Sequence, residues 1–243
     1  MTRDEIRARI VEIGIIPAIR LYSESEALFA AEAVCGGGIP IVEVTMTIPG
    51  AVRIIAELTR HNTGVIVGAG SLSDVETAAQ CLDAGAGFLT SPGLDLGIVE
   101  FALKRGVVVL PGAMTPSEVM AAWRVGCDFV KVFPCAHVGG PDYIRTLKAP
   151  FPQVPLIAAG GVNHKNAADY ILAGATALGI GQNLIHQNAI KRRERAHFRL
   201  ERAHIAFGTD HGKVVLAGAM HFPRNPAKAL HEIGGRRARI QGP

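Results

Sequence analysis

The stretch VVVLPGAMTPSEVMAAWRVGCDFVKVFP, residues 107–134, holds one full unit of a pattern that the chain repeats. Val107 to Leu110 is an unbroken apolar run, the composition of a strand covered on both faces. Thr115-Pro116-Ser117-Glu118 then has the form of a helix start: a hydroxyl cap, proline at the first helical position, and a glutamate placed to bond back to the cap. Gly126 suits a left-handed helix end, and Asp128 to Pro134 is a second apolar strand. A strand, a helix and a strand within so few residues make a parallel βαβ unit.

Working outward, the same unit recurs every 20 to 27 residues, roughly. Strands are expected over 15–20, 39–46, 65–69, 87–90, 154–158 and 176–180, with helices over 23–36, 49–61, 73–84, 94–104, 141–148 and 164–173. Gly37, Gly64, Gly85, Gly106, Gly126 and Gly174 each stand at a helix end ahead of an apolar run. Eight strands, each followed by a helix, predict a closed α/β fold, the (β/α)8 or TIM barrel. Ile6, Ile10 and Ile13, spaced as on one helix face among charges, predict a short N-terminal capping helix over 3–13. An open doubly wound sheet is less apt, because Gly68-Ala69-Gly70 lacks the third glycine of a dinucleotide fingerprint. Residues 187–207 read as the last helix. The barrel domain is therefore expected over 1–207, followed by a basic tail over 208–243, poorly ordered or lying on a neighbouring subunit.

At 243 residues and 49% hydrophobic content the chain can bury a large single core. The formal charge of +4 is uneven: 12 of the 25 Lys and Arg residues, but only 4 of the 21 Asp and Glu, lie in 191–243. A solvated helix face and a loose tail account for that end better than nucleic-acid binding does. Cys35, Cys81, Cys127 and Cys135 show no paired metal spacing and fit a reducing compartment. The acidic, amphipathic start is neither a signal peptide nor a membrane span, so a soluble cytoplasmic protein without membrane partners is expected.

In a barrel of this kind chemistry sits at the C-terminal ends of the strands. Strand alternation places Phe129, Lys131 and Phe133 on one face, so the Lys131 amine points into something other than its own strand. Glu43 shares a face with Ile41 and Thr45, Arg20 closes the first strand on the side of Ala18, and Ser71 follows Gly68-Ala69-Gly70. One such charge is commonly a structural ion pair or a snorkelling stem. Three complementary charges at one mouth form a chemical set. A desolvated amine can make an imine with a ketone, a carboxylate can shuttle protons, and a guanidinium can grip a carboxylate. Ala159-Gly160-Gly161-Val162-Asn163 and Gly179-Ile180-Gly181-Gln182-Asn183 follow the last two strands, where many barrels bind phosphate through backbone N–H groups. The expected ligand is the phosphate of a sugar acid.

The ordered set Pro17-Ala18-Ile19-Arg20, Glu43-Val44-Thr45 with Pro49, Gly68-Ala69-Gly70-Ser71, Ser91-Pro92-Gly93, Pro111-Gly112, Lys131 with Phe133-Pro134, Pro150-Phe151-Pro152 and Gly160-Gly161-Val162 spans roughly residues 5–207. In that order it resembles the 2-keto-3-deoxy-6-phosphogluconate (KDPG) aldolases, a family that includes 4-hydroxy-2-oxoglutarate (KHG) aldolases. The resemblance implies a class I aldolase in which Lys131 forms a Schiff base with the C2 ketone and Glu43 moves protons. It implies that Arg20 holds the substrate carboxylate, with Thr45, Ser71, Pro92, Phe133 and Ala159 around the substrate and Gly160, Gly161, Gly181 and Gln182 at its phosphate. The implied products are pyruvate and an aldehyde, glyceraldehyde 3-phosphate. No metal and no cofactor are implied, because the imine is the electron sink, and the implied assembly is a homotrimer. Three positions depart from the family pattern. Ala159 stands where many members have threonine, Thr47 where some have arginine, and Gln182 where serine is common. These bear on the C4 epimer and the acceptor, and 2-keto-3-deoxy-6-phosphogalactonate and 4-hydroxy-2-oxoglutarate are the alternative substrates. A non-catalytic sugar-phosphate-binding barrel has no use for an intact Arg20, Glu43 and Lys131.

Overall fold

In the computed structural model of the chain, residues 1–61, 64–185, 190, 203–206 and 215–218 are described. The strands are β1 (Ile15–Ile19), β2 (Ile41–Thr45), β3 (Ile66–Gly70), β4 (Phe88–Thr90), β5 (Val108–Leu110), β6 (Gly112–Ala113), β7 (Val130–Val132), β8 (Leu156–Ala159) and β9 (Ala177–Ile180). They pair in parallel, in the order β5-β4-β3-β2-β1-β9-β8-β7-β6, and form the expected (β/α)8 barrel. β5 and β6 are halves of one strand, separated by Pro111, which has no N–H to give to a ladder. β5 pairs with β4 and β6 with β7, so the barrel closes at this proline. The Lys131 N–H donates to the Pro111 carbonyl at 2.9 Å and holds the closure.

Among the described residues the α-helices are α1 (Arg3–Ile13), at one end of the barrel, and α2 (Glu24–Gly36), α3 (Ala51–His61), α4 (Val75–Asp83), α5 (Leu96–Lys104), α6 (Pro116–Arg124), α7 (Gly140–Lys148) and α8 (Ala167–Leu172), which cover the strands. The α6 start is the capping box expected from Thr115 and Glu118, with Pro116 in the first turn. Of the six glycines expected at left-handed helix ends, Gly37 does not fit. It is right-handed, and Gly38 takes the positive φ of 96° instead. A one-turn 3-10 helix over Cys135–Val138, which no sequence pattern indicated, follows β7.

The barrel interior is packed. The strands send residues into its lower layer in turn, from Ile16, Ile41 and Ile66 through Phe88 and Phe129 to Ile157 and Ala177. α1 stoppers that end of the barrel with Ile6 and Ile10, whose burial contributes roughly 1.5–3 kcal/mol each. The Arg3 guanidinium fixes the stopper by donating from Nε to both oxygens of buried Asp128 at 3.0 and 3.2 Å. Asp128 Oδ2 also accepts the Val109 N–H at 3.0 Å, so one carboxylate ties α1 to the strand that closes the barrel.

The C-terminal reading needs correction. Ala203–Ala206, expected within a helix over 187–207, is a strand, β10, paired antiparallel with β11 (Val215–Gly218). The ladder overrides a helical preference that is weak, and Val215 and Leu216 suit a strand. Apart from Ile190, the rest of that expected helix lies outside the described residues, as does the 208–243 tail apart from β11. Among the described residues no helix is long and apolar enough to cross a membrane.

Replacing Asp128 by alanine leaves Arg3 and the Val109 N–H without their buried partner. The expected cost is roughly 2–4 kcal/mol, read as a lower urea midpoint for Asp128→Ala.

Candidate active site

One step above the apolar layer, the alternation of β2 and β7 turns Glu43 and Lys131 into the barrel mouth. Lys131 lies level with Gly112 and Ile157, and Glu43 level with Ala18 and Gly68. Three of these four neighbours, Gly112, Ala18 and Gly68, are small residues. Lys131 Nζ is 3.6 Å from Glu43 Oε2, with side-chain exposures of 12% and 7%. That separation is a Coulombic contact rather than a hydrogen bond. The Glu43 carboxylate accepts no hydrogen bond from another described group, so a buried charge keeps open lone pairs beside an amine. The Phe133 ring, 5.6 Å from Nζ, forms an apolar side wall.

Gly68-Ala69-Gly70 gains a physical reason here. A Cβ on Gly70 would stand 2.0 Å from Glu43 Oε1, and one on Gly68 would stand 2.1 Å from the Phe88 ring. Both glycines serve close approach inside the barrel. Ser71 follows at φ 59°, the one non-glycine residue with positive φ among those described. It borders both the mouth and a groove of about 400 Å³ that runs past Met46, Ile48, Ala51 and Thr77, to one side of the Lys131–Glu43 pair.

Thr45 is fully buried and donates to the Ile19 carbonyl at 2.9 Å, which uses its only proton. In its 2.8 Å contact with Thr47, the exposed Thr47 hydroxyl is therefore the donor. Arg20 follows Ile19 at the rim, is exposed, and makes no ion pair with another described residue. The structure thus joins Lys131 with Glu43 and Phe133, but it does not join Arg20 to them. Pro92 is exposed on a turn fixed by the 2.6 Å bond from Ser91 Oγ to the Gly93 carbonyl. Gly112 gives this turn room, since a Cβ there would stand 2.1 Å from the Pro92 oxygen.

Across the mouth, Ala159 is buried and packs at Gly179, where a Cβ would stand 2.9 Å from the Ala159 methyl carbon. This wall has no polar side chain. Gly160 and Gly161 follow with φ of 83° and 87°, and the Gly161 and Val162 N–H groups have no partner among the described residues. Asn183 donates to the Val162 carbonyl at 3.1 Å, which draws the loop of Gly181 and exposed Gln182 against the double glycine. Among the described residues no group of three or more His, Cys, Asp and Glu side chains is placed to hold a metal ion.

What sequence reasoning missed is the room-making of Gly70 and Gly112. The only available signal was a glycine within a strand, and its meaning depends on what approaches it from elsewhere, the Glu43 side chain at Gly70 and the Pro92 backbone at Gly112.

A (β/α)8 barrel that holds an amine and a carboxylate together at the strand ends has the parts of a carbonyl-handling enzyme. The chain belongs to the KDPG and KHG aldolase family, whose model matches residues 6–199, and it is accordingly an aldolase, a lyase. It is 34% identical over 160 residues to a 2-dehydro-3-deoxy-phosphogluconate aldolase of Pseudomonas aeruginosa, covering 66% of this chain and 73% of the relative. It is 30% identical over 183 residues to a probable 2-dehydro-3-deoxy-6-phosphogalactonate aldolase of Rhizobium meliloti, covering 74% and 86%. The crystal structure of a Legionella pneumophila KDPG aldolase, with pyruvate captured as a covalent carbinolamine, superposes with a TM-score of 0.74 at 29% identity. That match covers 79% of this chain and 94% of that one.

Burial pushes the thiols of Cys35, Cys81 and Cys135 up to about 11 and that of Cys127 to about 12, from an ordinary 9.0. A folded pKa above the unfolded one gives stability that is complete below pH 9.0 and is lost as the pH rises to about 12. The urea midpoint should fall over that alkaline window, and Cys127→Ala should make the fall shallower.

Proposed function

We propose that this aldolase cleaves a 2-keto-3-deoxy sugar acid, with 2-keto-3-deoxy-6-phosphogluconate as the first candidate, to pyruvate and glyceraldehyde 3-phosphate. The observation that supports this reading is the Lys131–Glu43 pair, buried at the mouth with the carboxylate otherwise unbonded. With its proton passed to Glu43, Lys131 Nζ adds through its lone pair to the C2 ketone of the substrate. Glu43 passes protons, directly or through a water, so that the carbinolamine loses water and becomes an iminium ion.

The C3–C4 bond then breaks as Glu43 accepts the C4 hydroxyl proton. Its electron pair moves to C3 and on to the iminium nitrogen, so the aldehyde leaves and an enamine of pyruvate stays on Lys131. Protonation at C3 restores the iminium, and water releases pyruvate and the amine. Arg20 at the rim pairs with the substrate carboxylate, with Thr45, Ser71, Pro92 and Phe133 around the pyruvyl end. The unpartnered Gly161 and Val162 N–H groups, with Gly160, Gly181 and Gln182, accommodate the phosphate. The reading takes the chain as a homotrimer, the assembly its resemblance implies.

One observation favours a second substrate. The β8–β9 wall offers the C4 hydroxyl a methyl group at Ala159 and no hydrogen-bonding side chain, so 2-keto-3-deoxy-6-phosphogalactonate is the alternative. The longer match to the Rhizobium relative points the same way.

Incubation with pyruvate and borohydride should leave a reduced pyruvyl adduct, located on Lys131 by peptide mass. Lys131→Ala should take no adduct and show no cleavage; an adduct on another lysine would end this mechanism. Glu43→Gln should lower kcat by about 100-fold or more with a smaller change in KM. Unchanged turnover would remove Glu43 from proton transfer.

A further inference from the structure

Tyr170, on α8, heads the fully buried side chains by size, and its phenol lies in the core rather than at the mouth. A hydroxyl in such a place needs a partner, and the partner is Cys135. The Cys135 thiol gives its one proton to the Gly140 carbonyl at an Sγ–O distance of 3.7 Å, so towards the phenol beside it the sulfur can only accept. The phenol oxygen also bounds Gly140 directly, since a Cβ there would stand 3.4 Å from it.

Cys135 opens the 3-10 turn that follows Phe133 and Pro134 on the Lys131 strand. The next residue, Ala136, donates its N–H to the Gly160 carbonyl at 2.9 Å. The double glycine is laid on this turn with no space to spare. A Cβ on Gly161 would stand 2.2 Å from the Ala136 methyl carbon, and one on Gly160 would stand 2.9 Å from Pro134 Cα. A continuous series of contacts therefore runs from Tyr170 through Cys135 and the turn to the loop with the unpartnered N–H groups.

We propose that Tyr170 and Cys135 are positioning residues that set the path of the Gly160–Gly161 loop, and so the grip on the acceptor's phosphate, without touching the reacting atoms. This rests on the reading that the loop holds phosphate. Tyr170 lies beneath the turn, and Lys131 and Glu43 are anchored in their own strand ladders, so imine chemistry should not depend on the phenol.

The test compares two reactions of the full chain. Deuterium exchange into the methyl group of pyruvate needs only the imine and the enamine. Condensation of pyruvate with glyceraldehyde 3-phosphate needs the phosphate grip as well. In Tyr170→Phe and in Cys135→Ala, exchange should continue at the wild-type rate while KM for glyceraldehyde 3-phosphate rises about three- to ten-fold, the worth of one neutral hydrogen bond. KM for unphosphorylated glyceraldehyde should stay put. Cys135→Ser, which keeps both an acceptor and a donor, should return KM towards wild type.

A fall of exchange and condensation by the same factor would reveal a structural role only and overturn the proposal, as would an unchanged KM in Tyr170→Phe. Two wild-type controls separate other failures. Absence of pyruvate exchange would remove the Schiff-base reading, and equal KM for the two aldehydes would remove the phosphate reading; either result takes this proposal with it.

Discussion

Withdrawing an amine and a carboxylate from water is costly unless they face each other, and much of this barrel is arranged around that constraint at Lys131 and Glu43. β2 and β7 lie on different sides of the mouth, so the two side chains meet only because the positions beside them are small. Gly70 gives up its side chain to the Glu43 carboxylate, and Gly112, level with Lys131, leaves space that the Pro92 turn enters. Below them the apolar layer and the α1 stopper close the barrel to water, which keeps the dielectric low and the pair strongly coupled.

The mouth is divided. One set of strands, β2 and β7 facing each other, carries the charges and the chemistry, and a second set, β8 and β9 between β7 and β1, carries Ala159, Gly179 and a pair of glycine loops. Around the reacting pair the hydroxyls are committed: Thr45 binds the Ile19 carbonyl, and Thr47 spends its proton on Thr45, which leaves the Glu43 carboxylate as the open acceptor. On the second set, unfilled hydrogen bonds belong to the backbone. A site divided in this way fixes the reacting end of its ligand through side chains and leaves the far end to the shape of a loop.

Much of this was legible in the sequence, for a physical reason. A lysine or glutamate alone in an apolar strand is visible as an exception, and Lys131 and Glu43 were found that way. The capping box at Thr115 and the βα repeat are local patterns and were equally open to view. Features that depend on a neighbour distant in sequence were not. The closure at Pro111, the close approach behind Gly70 and the Tyr170–Cys135 contact each need the partner strand or helix in place before they mean anything. At α2 the choice between Gly37 and Gly38 turned on one residue within a run of three glycines. The misread stretch over 203–206 failed because pairing with residues 215–218 decides its conformation, and no local signal reports that pairing.

The stopper helix has a practical consequence. α1 seals the end of the barrel opposite the strand termini that carry Lys131 and Glu43, and Met1 stands exposed just ahead of the Thr2 cap. Anything joined to Met1 therefore leaves from the sealed end. A surface or fusion partner attached there would hold the barrel upside down, with its open mouth turned towards the solution.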